Sequence, residues 1–138
     1  VTVLPRSPAP EILVVEREPF WRPELQRRFP DVAIVAWEAA IRAPPAAAEI
    51  PAGQGRLLVI TGECLIPRLA EWRPLLARAS RRGVPVLALL RRGELAWEWP
   101  LRELGVTAVL DEFIGGRTLA AACERLLAGA IPAAANTT

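Results

Sequence analysis

The chain has 138 residues, a formal net charge of +2, 52% apolar residues and 23% charged residues. This balance excludes a disordered chain and fits one domain large enough to bury a core. All 17 basic residues are arginine, and His, Lys, Tyr and Met are absent, which removes the usual general base, the commonest metal ligand, Schiff-base chemistry and a phosphate-loop lysine.

No apolar run approaches the roughly 20 residues of a membrane span. The proline-rich start lacks a secretory signal pattern. The sequence is therefore read as cytoplasmic. Cys64 and Cys123 have no metal-ligand spacing and are expected to be small buried hydrophobes.

Residues 1–10, VTVLPRSPAP, are expected to be a flexible lead-in. Residues 11–15 predict a first strand. A short helix should follow, anchored by Phe20, Leu25 and Phe29, with Pro19 and Pro23 near its first turn. VAIVAW, residues 32–37, predicts a second strand. Residues 38–55 hold helix-favouring alanines interrupted by Pro44, Pro45 and Pro51, so a degenerate helix or loop is expected. RLLVIT, residues 56–61, predicts a third strand. Leu65, Leu69, Trp72, Leu76 and Ala79 recur at helical spacing over 65–82, with Pro74 as a kink or start and Gly83 as the stop.

VPVLALL, residues 84–90, predicts a fourth strand. ELAWEWPLREL, residues 94–104, predicts a short helix broken at Pro100 and closed by Gly105. VTAVL, residues 106–110, predicts a fifth strand. A last helix over 117–128 should bury Leu119, Ala122, Cys123 and Leu126. Residues 129–138 are expected to be a flexible tail.

Continuously apolar strands alternating with helices predict a parallel sheet covered on both faces. The fold class is α/β, flavodoxin-like and doubly wound, with five strands in the order 2-1-3-4-5. Function in such sheets sits at the carboxyl ends of the strands. Glu16-Arg17-Glu18, Thr61-Gly62-Glu63, Arg91-Arg92 and Asp111-Glu112 all fall there.

Four segments carry a family resemblance: "ILVVEREP", "GECLIP", "VPVLALL" and "GVTAVLDEF". Their order and spacing over residues 11–128 resemble the receiver domain of bacterial response regulators. That resemblance implies a phosphorylation site in which two acids after the first strand hold magnesium. Glu16 matches the first acid, and Arg17 stands at the second. The phospho-acceptor position matches Thr61 by strand end or Glu63 by distance to Pro67. Leu90 stands at the hydroxyl position after the fourth strand. Asp111 stands at the lysine position, Glu112 replaces the following proline, and Phe113 keeps the aromatic.

The resemblance thus implies a degenerate site with no metal and no cofactor. Arg17 repels a divalent cation, Asp111 repels a phosphoryl group, and Thr61 cannot form an acyl phosphate. An Arg17 pair with Asp111, with Glu16 or with both would lock the site. Drift, leaving weak exposed charges, is the other reading.

The leading functional expectation is a phosphorylation-independent pseudo-receiver that signals through a protein partner. The partner face implied by the family includes Trp97, Trp99, Arg102 and Arg117, residue types enriched at hot spots. A homodimer through that face is an alternative. Against a partner role, Trp97 is expected to pack inward with Leu101 and Leu104, while Trp99 either caps the core edge or faces a partner. A second reading is a flavodoxin-like enzyme or small-ligand binder, although "EREPFW" is a poor phosphate cradle. A third is nucleic-acid binding through Arg81, Arg82, Arg91 and Arg92, which lack interleaved aromatic residues.

Overall fold

The computed structural model describes residues 11–37 and 55–129. The expected lead-in and residues 38–54 and 130–138 of the expected loop and tail lie outside the described residues, whereas Gly55 and Gly129, expected in that loop and tail, open the third strand and end the last helix. Five strands form one sheet: β1 (Glu11–Val15), β2 (Ala33–Ala36), β3 (Gly55–Thr61), β4 (Val86–Leu90) and β5 (Ala108–Asp111). Their order is β2-β1-β3-β4-β5 and every pairing is parallel. This is the expected doubly wound, flavodoxin-like architecture.

Helix α1 (Trp21–Arg28) connects β1 to β2. After β3 come the short α2 (Gly62–Leu65), a 3-10 turn (Ile66–Arg68) and α3 (Leu69–Arg82). A 3-10 segment (Arg92–Trp97) and α4 (Glu98–Glu103) follow β4, and α5 (Gly116–Gly129) follows β5.

Alternation along the strands divides the core in two. Leu13, Val15, Leu58, Ile60, Ala88 and Leu90 face α2, α3 and α4, where Trp72, Leu75, Leu76 and Leu101 are buried. Ile12, Val14, Leu57, Val59, Leu87 and Leu89 face α1 and α5, where Trp21, Leu25, Leu119 and Cys123 are buried. Both faces are covered, which is why the middles of the strands, Ile12–Val15, Leu57–Ile60 and Val86–Leu90, are continuously apolar.

Several local expectations shift for physical reasons. The first helix begins at Trp21, so Trp21 is buried and Phe20 is 62% exposed, reversing the expected anchor. The predicted helix over 65–82 divides at the Ile66–Arg68 turn, and Pro74 then lies inside α3 on an exposed position. Pro100 does not break a helix. It lies in the first turn of α4, where a missing N–H costs nothing. Gly83 and Gly105 close α3 and α4 at positive φ, +74° and +117°, which only glycine adopts without strain.

Candidate functional site

The carboxyl ends of β1, β3 and β5 converge on a cleft of about 500 Å³. Glu16, Arg17, Thr61, Glu63 and Glu112 line it, and Phe20 and Phe113 contribute exposed rings. The structure thus gathers four of the six site positions read from sequence. Leu90 and Asp111 do not line the cleft.

Glu16 is only 7% exposed. Its Oε1 accepts the backbone N–H of Trp21 at 2.9 Å, and its Oε2 accepts that of Arg22 at 3.0 Å. These are two of the otherwise unpaired amides that open α1. A carboxylate there also complements the helix dipole. Both oxygens of the would-be metal ligand are therefore engaged by the protein's own backbone.

Thr61 is the last residue of β3 and is paired beside Leu89 of β4. It is 3% exposed, and its hydroxyl lacks a hydrogen-bond partner. The neighbouring Cys64 thiol is pushed up by burial and drawn partly back by that hydroxyl, although the two fall short of full hydrogen-bond geometry. Glu63 lies two residues further on, in α2, with its carboxylate at the cleft.

The sequence places Arg91 at the carboxyl edge and in a basic cluster, but with no partner. The structure turns it onto two acids. Its Nη2 contacts Glu63 Oε1 at 2.5 Å, and its Nε lies 3.8 Å from Glu112 Oε1. One guanidinium after β4 therefore connects the segment after β3 to the segment after β5. The backbone N–H of Arg91 donates to Glu94 Oε1 at 2.9 Å, and the Glu94 N–H donates to the Arg91 carbonyl at 2.8 Å. Gly62 lies beneath this turn. A Cβ there would collide with the Glu94 carboxylate and come within 2.9 Å of Leu90 Cδ2.

The expected Arg17–Asp111 pair does not form. Arg17 is exposed and makes no ion pair among the described residues. Asp111 ends β5 and turns back locally, accepting the Phe113 N–H at Oδ1 with a 2.8 Å contact. That self-contained turn engages Oδ1 without Arg17. Leu90 is fully buried in the core. Burial pushes the Glu112 carboxyl above the ordinary 4.5, Arg91 pulls it down, and Glu63, Glu94 and Asp111 push it up.

On the neighbouring face the inward packing expected for Trp97 fails. The 3-10 geometry of Arg92–Trp97 shifts the phase of the segment, leaving Trp97 39% exposed while Leu101 is buried. Trp99 is 73% exposed and does not cap the core. Arg102 is held by Glu98 at 3.0 Å and by the Thr107 carbonyl at 3.3 Å. Arg117 is exposed in the first turn of α5.

No protein-family model and no curated protein matches the sequence. Solved structures do match in fold. A response regulator receiver protein from Pseudoalteromonas atlantica aligns with a TM-score of 0.65 at 14% identity, covering 88% of this chain and 99% of that one. A response regulator receiver domain protein from Clostridium thermocellum aligns at 0.61 and 13% identity, covering 86% and 94%. A structure described as an adenylate cyclase from Rhodopirellula baltica aligns at 0.65 and 15% identity, covering 88% and 90%. The chain has the fold of response regulator receiver domains. Among the described residues, no helix is long and apolar enough to cross a membrane.

Proposed function

We propose that this chain is a pseudo-receiver, a phosphorylation-independent signalling module that works by protein–protein contact. One observation carries the reading: both oxygens of Glu16 are engaged by the amides of Trp21 and Arg22. A carboxylate committed in this way is a poor magnesium ligand, since releasing it uncaps α1. The residue types at the other positions agree. Arg17 adds positive charge where a metal would sit, Thr61 offers no carboxylate at the strand end, and Leu90 offers no hydroxyl.

Arg91 would serve in place of a metal as the fixed cation of this edge, with Glu63 as a standing negative charge. The partner surface in this reading is the face carrying Trp97, Trp99, Arg102 and Arg117, whether it meets another protein or a second copy. Two exposed tryptophans are costly to leave in water and are favourable anchors when covered.

The test is incubation with magnesium and beryllofluoride, a phosphoryl mimic, followed by tryptophan fluorescence and thermal melting. Trp21 lines the cleft, so occupancy would register. No response is expected under conditions where a phosphorylatable receiver responds. A saturable, magnesium-dependent shift would overturn the reading.

A further inference from the structure

We infer that the cleft at the carboxyl edge receives an arginine side chain from a protein partner. This surface is separate from the Trp97–Trp99 face, and the inference shares with the function proposed above only the commitment of Glu16 to α1.

Charge is the first argument. Four carboxylates line the cleft, those of Glu16, Glu18, Glu63 and Glu112, against the single guanidinium of Arg17. Glu16 is committed to α1 and Glu63 to Arg91. Two acids remain under-used. Glu18 is exposed and makes no ion pair among the described residues, and Glu112 has only the 3.8 Å approach of Arg91. Arg17 is exposed and pairs with none of them, so Arg91, on Glu63 and 3.8 Å from Glu112, is the chain's own cation at these acids among the described residues, and Glu18 is left without one.

The second argument is the floor. Thr61 lines the cleft, is 3% exposed, and carries a hydroxyl with no partner. A buried hydroxyl without a hydrogen bond is costly. A donor entering from the cleft would satisfy it once the groups that cover the hydroxyl give way.

Shape selects the kind of cation. Among the described residues no three acids or thiols stand close enough to share a metal ion. The acids are too spread for a point charge. A planar fork spans such a spread, and the molecule supplies its own example, for Arg91 reaches Glu63 through Nη2 and Glu112 through Nε. The rim agrees. Phe20 and Phe113 are 62% and 78% exposed, and Phe20 is braced edge-on against Trp21 at 4.7 Å. Aromatic faces stack on guanidinium groups.

The experiment titrates the isotope-labelled full chain with the blocked peptide acetyl-Gly-Arg-Gly-amide and follows amide and indole resonances. The lysine and citrulline peptides serve as comparators. Saturable shifts at Thr61, Glu112, Phe113 and the Trp21 indole are expected with arginine, weaker binding with lysine and none with citrulline. The double substitution Glu18→Gln and Glu112→Gln should weaken binding about tenfold. The absence of saturable shifts, an equal response to citrulline, or equal affinity for lysine would each overturn the inference. The peptide comparison decides the matter even if the double variant fails to fold.

Discussion

Glu16 Oε1 accepts the backbone N–H of Trp21 across five residues of chain, and both groups are buried. A side chain at the end of a strand thus fixes where the next helix starts. Substitution Glu16→Ala removes the acceptor for both amides and leaves the buried Trp21 N–H and the part-buried Arg22 N–H unpaired. A loss of about 1–3 kcal/mol is expected in urea unfolding followed by tryptophan fluorescence. Glu16→Gln keeps one acceptor and should lose less. Equal stability of Glu16→Ala and the parent chain would refute the capping role.

Gly62→Ala tests the turn over α2. The new methyl must displace the Glu94 carboxylate from the Arg91 amide and press on Leu90. Overpacking of this kind costs about 1–3 kcal/mol. Adding Glu94→Ala should recover part of that loss, because the two residues compete for one space. Strict additivity of the two changes would show that the collision does not govern the turn.

The raised Glu112 carboxyl makes a pH-dependent prediction. A carboxyl that favours its neutral form in the fold contributes stability that is fully present below the ordinary glutamate value of 4.5. That contribution is lost as pH rises through the raised folded value, because the folded state then holds more protons than the unfolded state. The parent chain should therefore lose stability relative to Glu112→Gln as pH rises from about 4.5. Arg91→Ala should steepen the loss, since Arg91 is the influence that lowers this carboxyl. Parallel stability curves for the parent and Glu112→Gln would contradict the assignment.

Arg17→Ala and Asp111→Ala should act independently. No contact joins the two side chains among the described residues, and Asp111 is occupied by the Phe113 amide. Their stability effects are expected to add within about 0.5 kcal/mol in a double-mutant cycle. A coupling energy well above that would restore the lock that the charge pattern first implied.

Trp99→Ala separates partner binding from folding. The ring is 73% exposed, so its removal should change stability by less than about 0.5 kcal/mol. Trp72→Ala empties a fully buried position and should cost about 3–5 kcal/mol. Capture of a partner that survives Trp99→Ala unchanged would move the interface elsewhere.

The sheet was legible because its strands are short apolar runs separated by proline, glycine and charge. The run Glu11–Val15 shows this with bounds that match the structure. Helix phase was harder. A start at Trp21 exchanged the roles of Phe20 and Trp21, and a 3-10 turn rotated Trp97 outward. The site was legible in position but not in pairing. Glu16, Thr61 and Glu63 reach one cleft, yet the charge alternation in "EREP" does not reveal that Arg17 stays unpaired among the described residues while Glu16 caps the helix. Arg91 meets Glu63 across 28 residues of chain, a contact that no local pattern encodes. The capping role of Glu16 did leave a trace: an acid closely preceding Pro19 and the helix start is where a helix N-terminus attracts negative charge.

The two-layered core gives the molecule a pair of internal clocks. Cys64 is buried in the layer against α3 and Cys123 in the layer against α5, and neither is bonded to another thiol. Burial pushes the Cys123 thiol up to about 12, so at neutral pH almost none of it is the reactive thiolate. An alkylating reagent reaches Cys123 when the α1–α5 side opens, and Cys64 when the opposite side does. Two labelling rates on one unmodified chain therefore time the opening of each layer, and their ratio tells whether the halves breathe together or apart.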